Sequence, residues 1–365
     1  MKNLFKRIFS QKFKSYWKKV RDEKNFDEDL RFISDQFINS SSYKFVSKQW
    51  EILNIRDYNS IKNNGINNFG SDISTHYFTF MDYTNDHLNN LFKNIEFDLP
   101  INLKANIFKK HKNFDYKTSI NYNLLCLLLF ENLKKTNLFP LLDKLNDNTY
   151  LGFNHPFIEI DNFKISSDKI VSLFDFDKIN KFYELKKVKR ILEIGAGSGR
   201  LSECILSLNS NINYVICDIP PSLYISYKRL KIAFPNKKIN LAIDINDDKL
   251  EEQIIENDIT FIFPHQIGVV KNNFYDLVVA VDCLHEMDKK THAAYFNFIN
   301  KISEYFYFSI WDKTKNWHSG NLFKKTERLD FDKGDYNIPK NWEKIFRENL
   351  KFPSNHLGLG FKILK

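Results

Sequence analysis

Three of the chain's 11 glycines, Gly195, Gly197 and Gly199, fall within five consecutive positions, directly after the apolar stretch Arg190–Ile194. Glycine reaches positive φ without steric cost, so the cluster marks a tight turn whose backbone can approach a ligand closely. The helical pattern Arg200–Leu208 follows at once and offers free N–H groups in its first turn. A dinucleotide-binding loop expects G-x-G-x-x-G. Here the spacing is G-x-G-x-G, with Arg200 where that third glycine would stand and Glu193 two positions ahead of the first.

From Val188 onward, apolar strand candidates alternate with helix candidates. The strands are Arg190–Ile194, Tyr214–Cys217, Thr260–Phe263, Leu277–Val281 and Tyr305–Ile310. The helices are Arg200–Leu208, Pro221–Ala233, Asp247–Glu256 and Lys289–Glu304. Such alternation predicts a mostly parallel sheet covered by helices on both faces. Trp342–Asn349 reads as a further helix and Phe361–Leu364 as a closing strand. Earlier in the chain, residues 26–148 read as mainly helical, with segments at Asp27–Ile38, Asp86–Phe92 and a buried one at Tyr122–Lys135. An extended stretch, Tyr150–Ile160, precedes the helix N-cap cluster Ser166–Ser167–Asp168. The expected organisation is a basic amphipathic helix (1–24), a helical cap domain (25–150) and an α/β domain (151–365).

The segments Glu193-Ile-Gly-Ala-Gly-Ser-Gly and Asp276-Leu-Val-Val-Ala-Val-Asp-Cys-Leu-His-Glu-Met carry the chemistry. The first resembles motif I of the class I S-adenosylmethionine-dependent methyltransferases. That resemblance implies a Rossmann-like domain with a mostly parallel seven-stranded sheet. It also implies that Glu193, Gly195, Ala196, Gly197 and Gly199 hold the cofactor's amino-acid end. Asp218 and Ile219, ending the next strand, would meet the ribose, His265 and Gln266 would lie near the adenine, and Asp282 would also touch the cofactor. Asp218-Ile-Pro and Leu284-His-Glu resemble the D-L-P and L-H-D-W stretches of plant-type O-methyltransferases. By that match His285 is the general base, with Glu286 or Asp282 orienting its ring.

The longer order of elements is similar to a bacterial sugar O-methyltransferase family associated with surface-polysaccharide gene clusters, across roughly residues 120–365. The implied acceptor is a sugar hydroxyl on a nucleotide sugar or lipid-linked glycan, recognised by residues 25–150 folding over the site. A methyltransferase of phenolic or other small molecules is the alternative, as is a non-catalytic membrane-associated scaffold with a degenerate site. His155 reads as a loop-stabilising residue. Asp244, Asp247 and Asp282 lack a diagnostic metal spacing, so no metal is expected.

Composition limits what remains. With 43% hydrophobic and 16% aromatic residues, a large core is available and global disorder is excluded. Cys126, Cys204, Cys217 and Cys283 form no C-x-x-C pair, which fits a reducing, cytoplasmic setting. Most of the net charge of +9 sits in Lys2, Lys6, Arg7, Lys12, Lys14, Lys18, Lys19, Arg21 and Lys24. A nucleic-acid amino-methyltransferase would place an N/D-P-P-Y/F motif after the fourth strand, and Asp282-Cys-Leu-His stands there, so no nucleic acid is expected. Leu4, Phe5, Ile8, Phe9, Phe13, Tyr16, Trp17 and Val20 recur at helical spacing opposite much of that charge. Two readings fit: a helix lying on the anionic inner face of the cytoplasmic membrane, or one docked on its own domain.

Overall fold

The computed structural model describes residues 13–23, 27–72, 108–111, 114–145, 147–148, 153–245, 249–311, 329–350 and 356–365. The expected helix Asp86–Phe92, residues 1–12 of the basic segment, the start of the Tyr150–Ile160 stretch and Asp247 lie outside them.

A short hairpin, β1 (Ile158–Ile160) and β2 (Phe163–Ile165), leads into the α/β unit. Its strands are β3 (Arg190–Ile194), β4 (Asn213–Cys217), β5 (Ile239–Leu241), β6 (Ile259–Ile262), β7 (Leu277–Val281), β8 (Tyr305–Trp311), β9 (Trp342–Asn349) and β10 (His356–Ile363). They form one sheet in the order β5-β6-β4-β3-β7-β8-β10-β9. Contacts from β5 through β8 are all parallel, while β10 runs antiparallel to both neighbours. The fold is Rossmann-like, with an eighth strand beyond the seven expected. The chain builds outward from β3 on one side, then returns to pair β7 on the other. That switch opens a crevice at the carboxyl ends of β3, β4 and β7, where open α/β sheets take ligands. All of β7 is buried, as befits a central parallel strand covered on both faces.

Trp342–Asn349 is a strand, not the expected helix. Its spacing of apolar residues also suits an edge strand, and pairing with β10 from Trp342↔Ile363 to Asn349↔Leu357 decides between the two.

The helices of the unit are α5 (Ser167–Phe182), α6 (Arg200–Leu208), α7 (Ser222–Ala233), α8 (Lys249–Glu256) and α9 (Lys289–Ile302). Ser166 caps α5, its side chain accepting the Lys169 N–H, as the Ser-Ser-Asp cluster predicts. Ahead of them come α1 (residues 13–21), α2 (Glu28–Asn39), α3 (Lys48–Asn64) and α4 (Tyr116–Lys134). Buried α4 holds Leu125 to Phe130 in the core and donates the Tyr122 hydroxyl to the Pro156 carbonyl at 2.8 Å.

Helix α1 docks on the protein. Trp17 is 0% exposed, and Phe13 and Val20 are buried with it. Phe13 meets Phe37 of α2 edge-on at 5.9 Å, and Trp17 meets Tyr58 of α3 at 5.6 Å. Over residues 13–21 the apolar face is therefore spent on the chain's own core, and Lys18 and Lys19 face solvent. No helix among the described residues is long and apolar enough to cross a membrane.

Candidate active site

The crevice holds a cavity partly open to solvent. Its floor is the turn after β3. Gly195 and Gly197 have φ of 72° and 58°, which the expected loop requires. A Cβ on Gly195 would lie 2.7 Å from that of Cys283, whereas one on Gly197 would meet nothing within 4 Å and project into open space. The loop therefore packs closely against the β7 end on one side and forms a cradle on the other. Asp218, just past β4, fixes its shape: its carboxylate accepts the Gly197 N–H at 2.9 Å and the Ile219 N–H at 2.8 Å. Burial pushes the Asp218 carboxyl up to about 7, with Asp57 adding to the rise against those two backbone donors.

Asp282, Cys283 and Glu286 form the opposite wall. Asp282 takes a left-handed backbone conformation (φ 56°) and accepts the Ser309 hydroxyl at 3.0 Å. Arg200, at the start of α6, pairs with Asp175 at 2.6 Å and Asp282 at 3.4 Å. Burial works against the Arg200 charge, but Asp175 and Asp282 hold it firmly protonated. Burial also raises Glu286 to about 8, against Arg56 and a hydrogen bond from Trp50.

Helix α3 roofs the cavity with Trp50, Leu53, Asn54 and Asp57. It is fastened at two points. The Ser47 hydroxyl, at its N-cap, donates to the Glu286 carbonyl at 2.9 Å, and the Ser222 hydroxyl donates to Asn54 Oδ1 at 3.1 Å. The roof thus joins the β7 turn to the start of α7. The sequence singles out none of these four residues.

Of the residues expected to hold a cofactor, Gly195, Ala196, Gly197, Asp218 and Asp282 line the cavity. Gly199 turns the chain into α6 behind it. Glu193 lies beneath the loop, not in the cavity wall: its carboxylate accepts the Tyr214 hydroxyl at 2.8 Å, and burial pushes it up to about 7. Ile219 is fully buried and is not among the residues lining the cavity. Gln266 is also committed elsewhere. It accepts the Phe263 N–H at 2.7 Å and donates to the carbonyls of Ala242 and Ile245. His265 shares a 2.6 Å contact with the Ser42 hydroxyl, which ties the β6 end to the cap. Neither belongs to the cavity lining.

His285 belongs to the short turn Leu284–Glu286 but is not among the residues lining the cavity. Its ring packs 5.7 Å from Trp311 and 6.2 Å from His356, and its Nδ1 has no hydrogen-bond partner. Burial, outweighing the Asp282 charge, pushes the imidazole down to about 3. Glu286 turns the other way, toward Trp50, and does not orient that ring.

A second buried ionic group sits beside the glycine loop, and its Asp168 also lines the cavity. Arg229 of α7 pairs with Glu203 at 2.5 Å and Asp168 at 3.0 Å, and donates to the Ser198 hydroxyl at 3.2 Å. His155 lies 3.4 Å from Asp168. Burial favours a neutral Asp168, but His155, Arg229 and Arg200 outweigh it and hold the carboxyl below its usual range. Among the described residues, no group of three or more His, Cys, Asp or Glu is placed to hold a metal ion.

No protein-family model matches the chain. Among curated proteins it is similar to probable polyketide synthase 30 of Dictyostelium discoideum, 22% identical over 296 residues that cover 72% of this chain and 8% of that protein. It is similar also to probable polyketide synthase 32 of the same organism, 26% identical over 286 residues, with 72% and 8% covered. The chain thus spans only a small part of the curated relatives it matches. Among solved structures, a SAM-dependent methyltransferase from Aquifex aeolicus aligns at 13% identity and a TM-score of 0.35, covering 53% of this chain and 92% of that one. The O-methyltransferase NcsB1 of neocarzinostatin biosynthesis, in complex with S-adenosylmethionine and 2-hydroxy-5-methyl naphthoic acid, aligns at 12% identity and 0.35, covering 54% and 56%.

Proposed function

We propose that this chain is an S-adenosylmethionine-dependent methyltransferase acting on a hydroxyl group. The observation that carries the reading is the Gly197 cradle fixed by the Asp218 carboxylate at the mouth of a β3/β4/β7 crevice. The residues present suit that cofactor: each Asp218 oxygen accepts one backbone N–H and keeps a lone pair for a ribose hydroxyl. Bound there, the cofactor supplies an electrophilic methyl group on a sulfonium sulfur.

The chain's own residues would exclude water, orient the acceptor and receive its proton. Trp50 and Leu53 close the roof, while Asp282 and Glu286 stand at the wall across from the cradle. These two carboxyls are better placed to receive a proton than His285, whose ring lies outside the lining. His285→Ala should therefore lower turnover by less than about tenfold, against the loss of about 10²–10⁴ typical of a general base. A larger loss would return the base role to the imidazole.

A sugar hydroxyl is the acceptor we favour. An aromatic ring beside carboxyl and amide groups (Trp50, Asn54, Asp57, Glu286) suits a polyol, which offers C–H faces for packing and hydroxyls for hydrogen bonds. The likeness to polyketide synthases favours a second reading, a phenolic or other small-molecule acceptor. Calorimetry with S-adenosylmethionine tests the common core, since absence of binding would exclude both. Transfer of labelled methyl to nucleotide sugars, lipid-linked glycans and phenols then separates them.

A further inference from the structure

Glu286 differs from the other acids of the cavity in how it is held. Its carbonyl is pinned by the Ser47 hydroxyl and its carboxyl accepts the Trp50 indole N–H. Arg56 and Asp57 act on it from α3, and Asp282 and the Cys283 thiol from the end of β7; His285 is its neighbour on the turn itself. Both fastenings come from the roof, so the group keeps a fixed place in the cavity wall, across from the cradle.

We propose that Glu286 is the residue by which this cavity distinguishes a positively charged methyl donor from the neutral thioether left after transfer. The proposal rests on the methyltransferase reading above. With burial as the main cause, the carboxyl is raised to about 8 and holds a proton at neutral pH. A sulfonium entering the cavity favours the carboxylate, so the proton leaves to solvent as the donor binds. A thioether carries no charge and leaves the proton in place. Donor and product share the same ammonium, carboxylate and ribose. Glu193 and Asp218, both raised to about 7, therefore respond alike to the two, and the difference between them isolates the sulfonium.

The test is calorimetry of S-adenosylmethionine and S-adenosylhomocysteine binding to the full chain at neutral pH, in buffers of different ionisation enthalpy. The donor should release up to about one proton more than the product, and the donor-to-product affinity ratio should rise by up to about tenfold per pH unit below the Glu286 midpoint. In Glu286→Gln the extra proton disappears and the ratio becomes flat with pH. Trp50→Phe removes a hydrogen bond that lowers the Glu286 midpoint, so it should keep the extra proton but move it to higher pH; this variant decides the matter if the Gln variant does not fold. Equal proton release for both ligands in the unaltered chain, or an extra proton that survives in Glu286→Gln, overturns the proposal and leaves the methyltransferase reading standing. Failure of both ligands to bind the unaltered chain overturns that reading and the proposal together.

Discussion

Two sets of buried charges flank the glycine loop, and they are built on opposite plans. In one, Arg229 stands between Asp168, which also lines the cavity, and Glu203, so each buried carboxylate has a guanidinium within 3.0 Å. In the other, Asp218 is held by backbone N–H groups, and Glu286 accepts an indole N–H with the Arg56 charge acting on it from α3. The first arrangement holds Asp168 below its usual range, while the second leaves its carboxyls near neutrality. Compensated charges fix a structure; carboxyls raised by burial beside a cavity are free to respond to what enters it.

The largest effect should come from breaking the compensated set. Arg229→Met leaves Asp168 and Glu203 buried without their partner and should cost about 3–5 kcal/mol of stability in urea unfolding. A cost below about 1 kcal/mol would show that the two sets are not different in kind. Next is Gly195→Ala, which combines a positive φ with a Cβ only 2.7 Å from that of Cys283. Strain of roughly 1–3 kcal/mol should reshape the loop and weaken S-adenosylmethionine about 10- to 100-fold by calorimetry, while circular dichroism stays unchanged.

The pH dependence sharpens the contrast further. The Asp218 midpoint is raised on folding, so its contribution to stability is full below the unfolded value near 4 and is lost as pH rises through about 7. Thermal stability should fall across that window, and the slope should flatten in Asp218→Asn. The smallest effect is expected for Tyr214→Phe. It removes the 2.8 Å bond to Glu193, costs about 0.5–1.5 kcal/mol and moves the Glu193 midpoint further up. An unchanged midpoint, followed by carbon-13 NMR of the carboxyl, would mean that the hydroxyl does not hold Glu193.

Much of the floor of this site was legible in the sequence because it is local. Glu193 through Arg200 form one strand, turn and helix start, and Asp218 sits at the same height on the adjacent strand. The roof was not legible. Trp50, Asn54 and Asp57 come from a helix more than a hundred residues upstream, and their spacing says only that one face is buried. The same limit explains α1: Phe13, Trp17 and Val20 define an apolar stripe, but periodicity cannot say whether lipid or α2 and α3 covers it. Gln266 misled for another reason. A polar side chain after a parallel strand can serve a ligand or its own loop, and here three backbone groups claim it. Trp342–Asn349 went astray because strand pairing overrides weak local preference at a sheet edge.

The placement of β10 has a consequence for how the molecule comes into being. This strand follows β9 in the chain yet lies inside it, between β8 and β9. During synthesis β9 emerges from the ribosome with no neighbour to pair, and stays so until residues up to 363 have followed. The wall of the cavity depends on the same event, since β8 supplies Ser309 to Asp282 and is paired on its outer side by β10. The glycine loop can form early from local contacts, but the surface facing it is finished only when the end of this segment threads into the sheet.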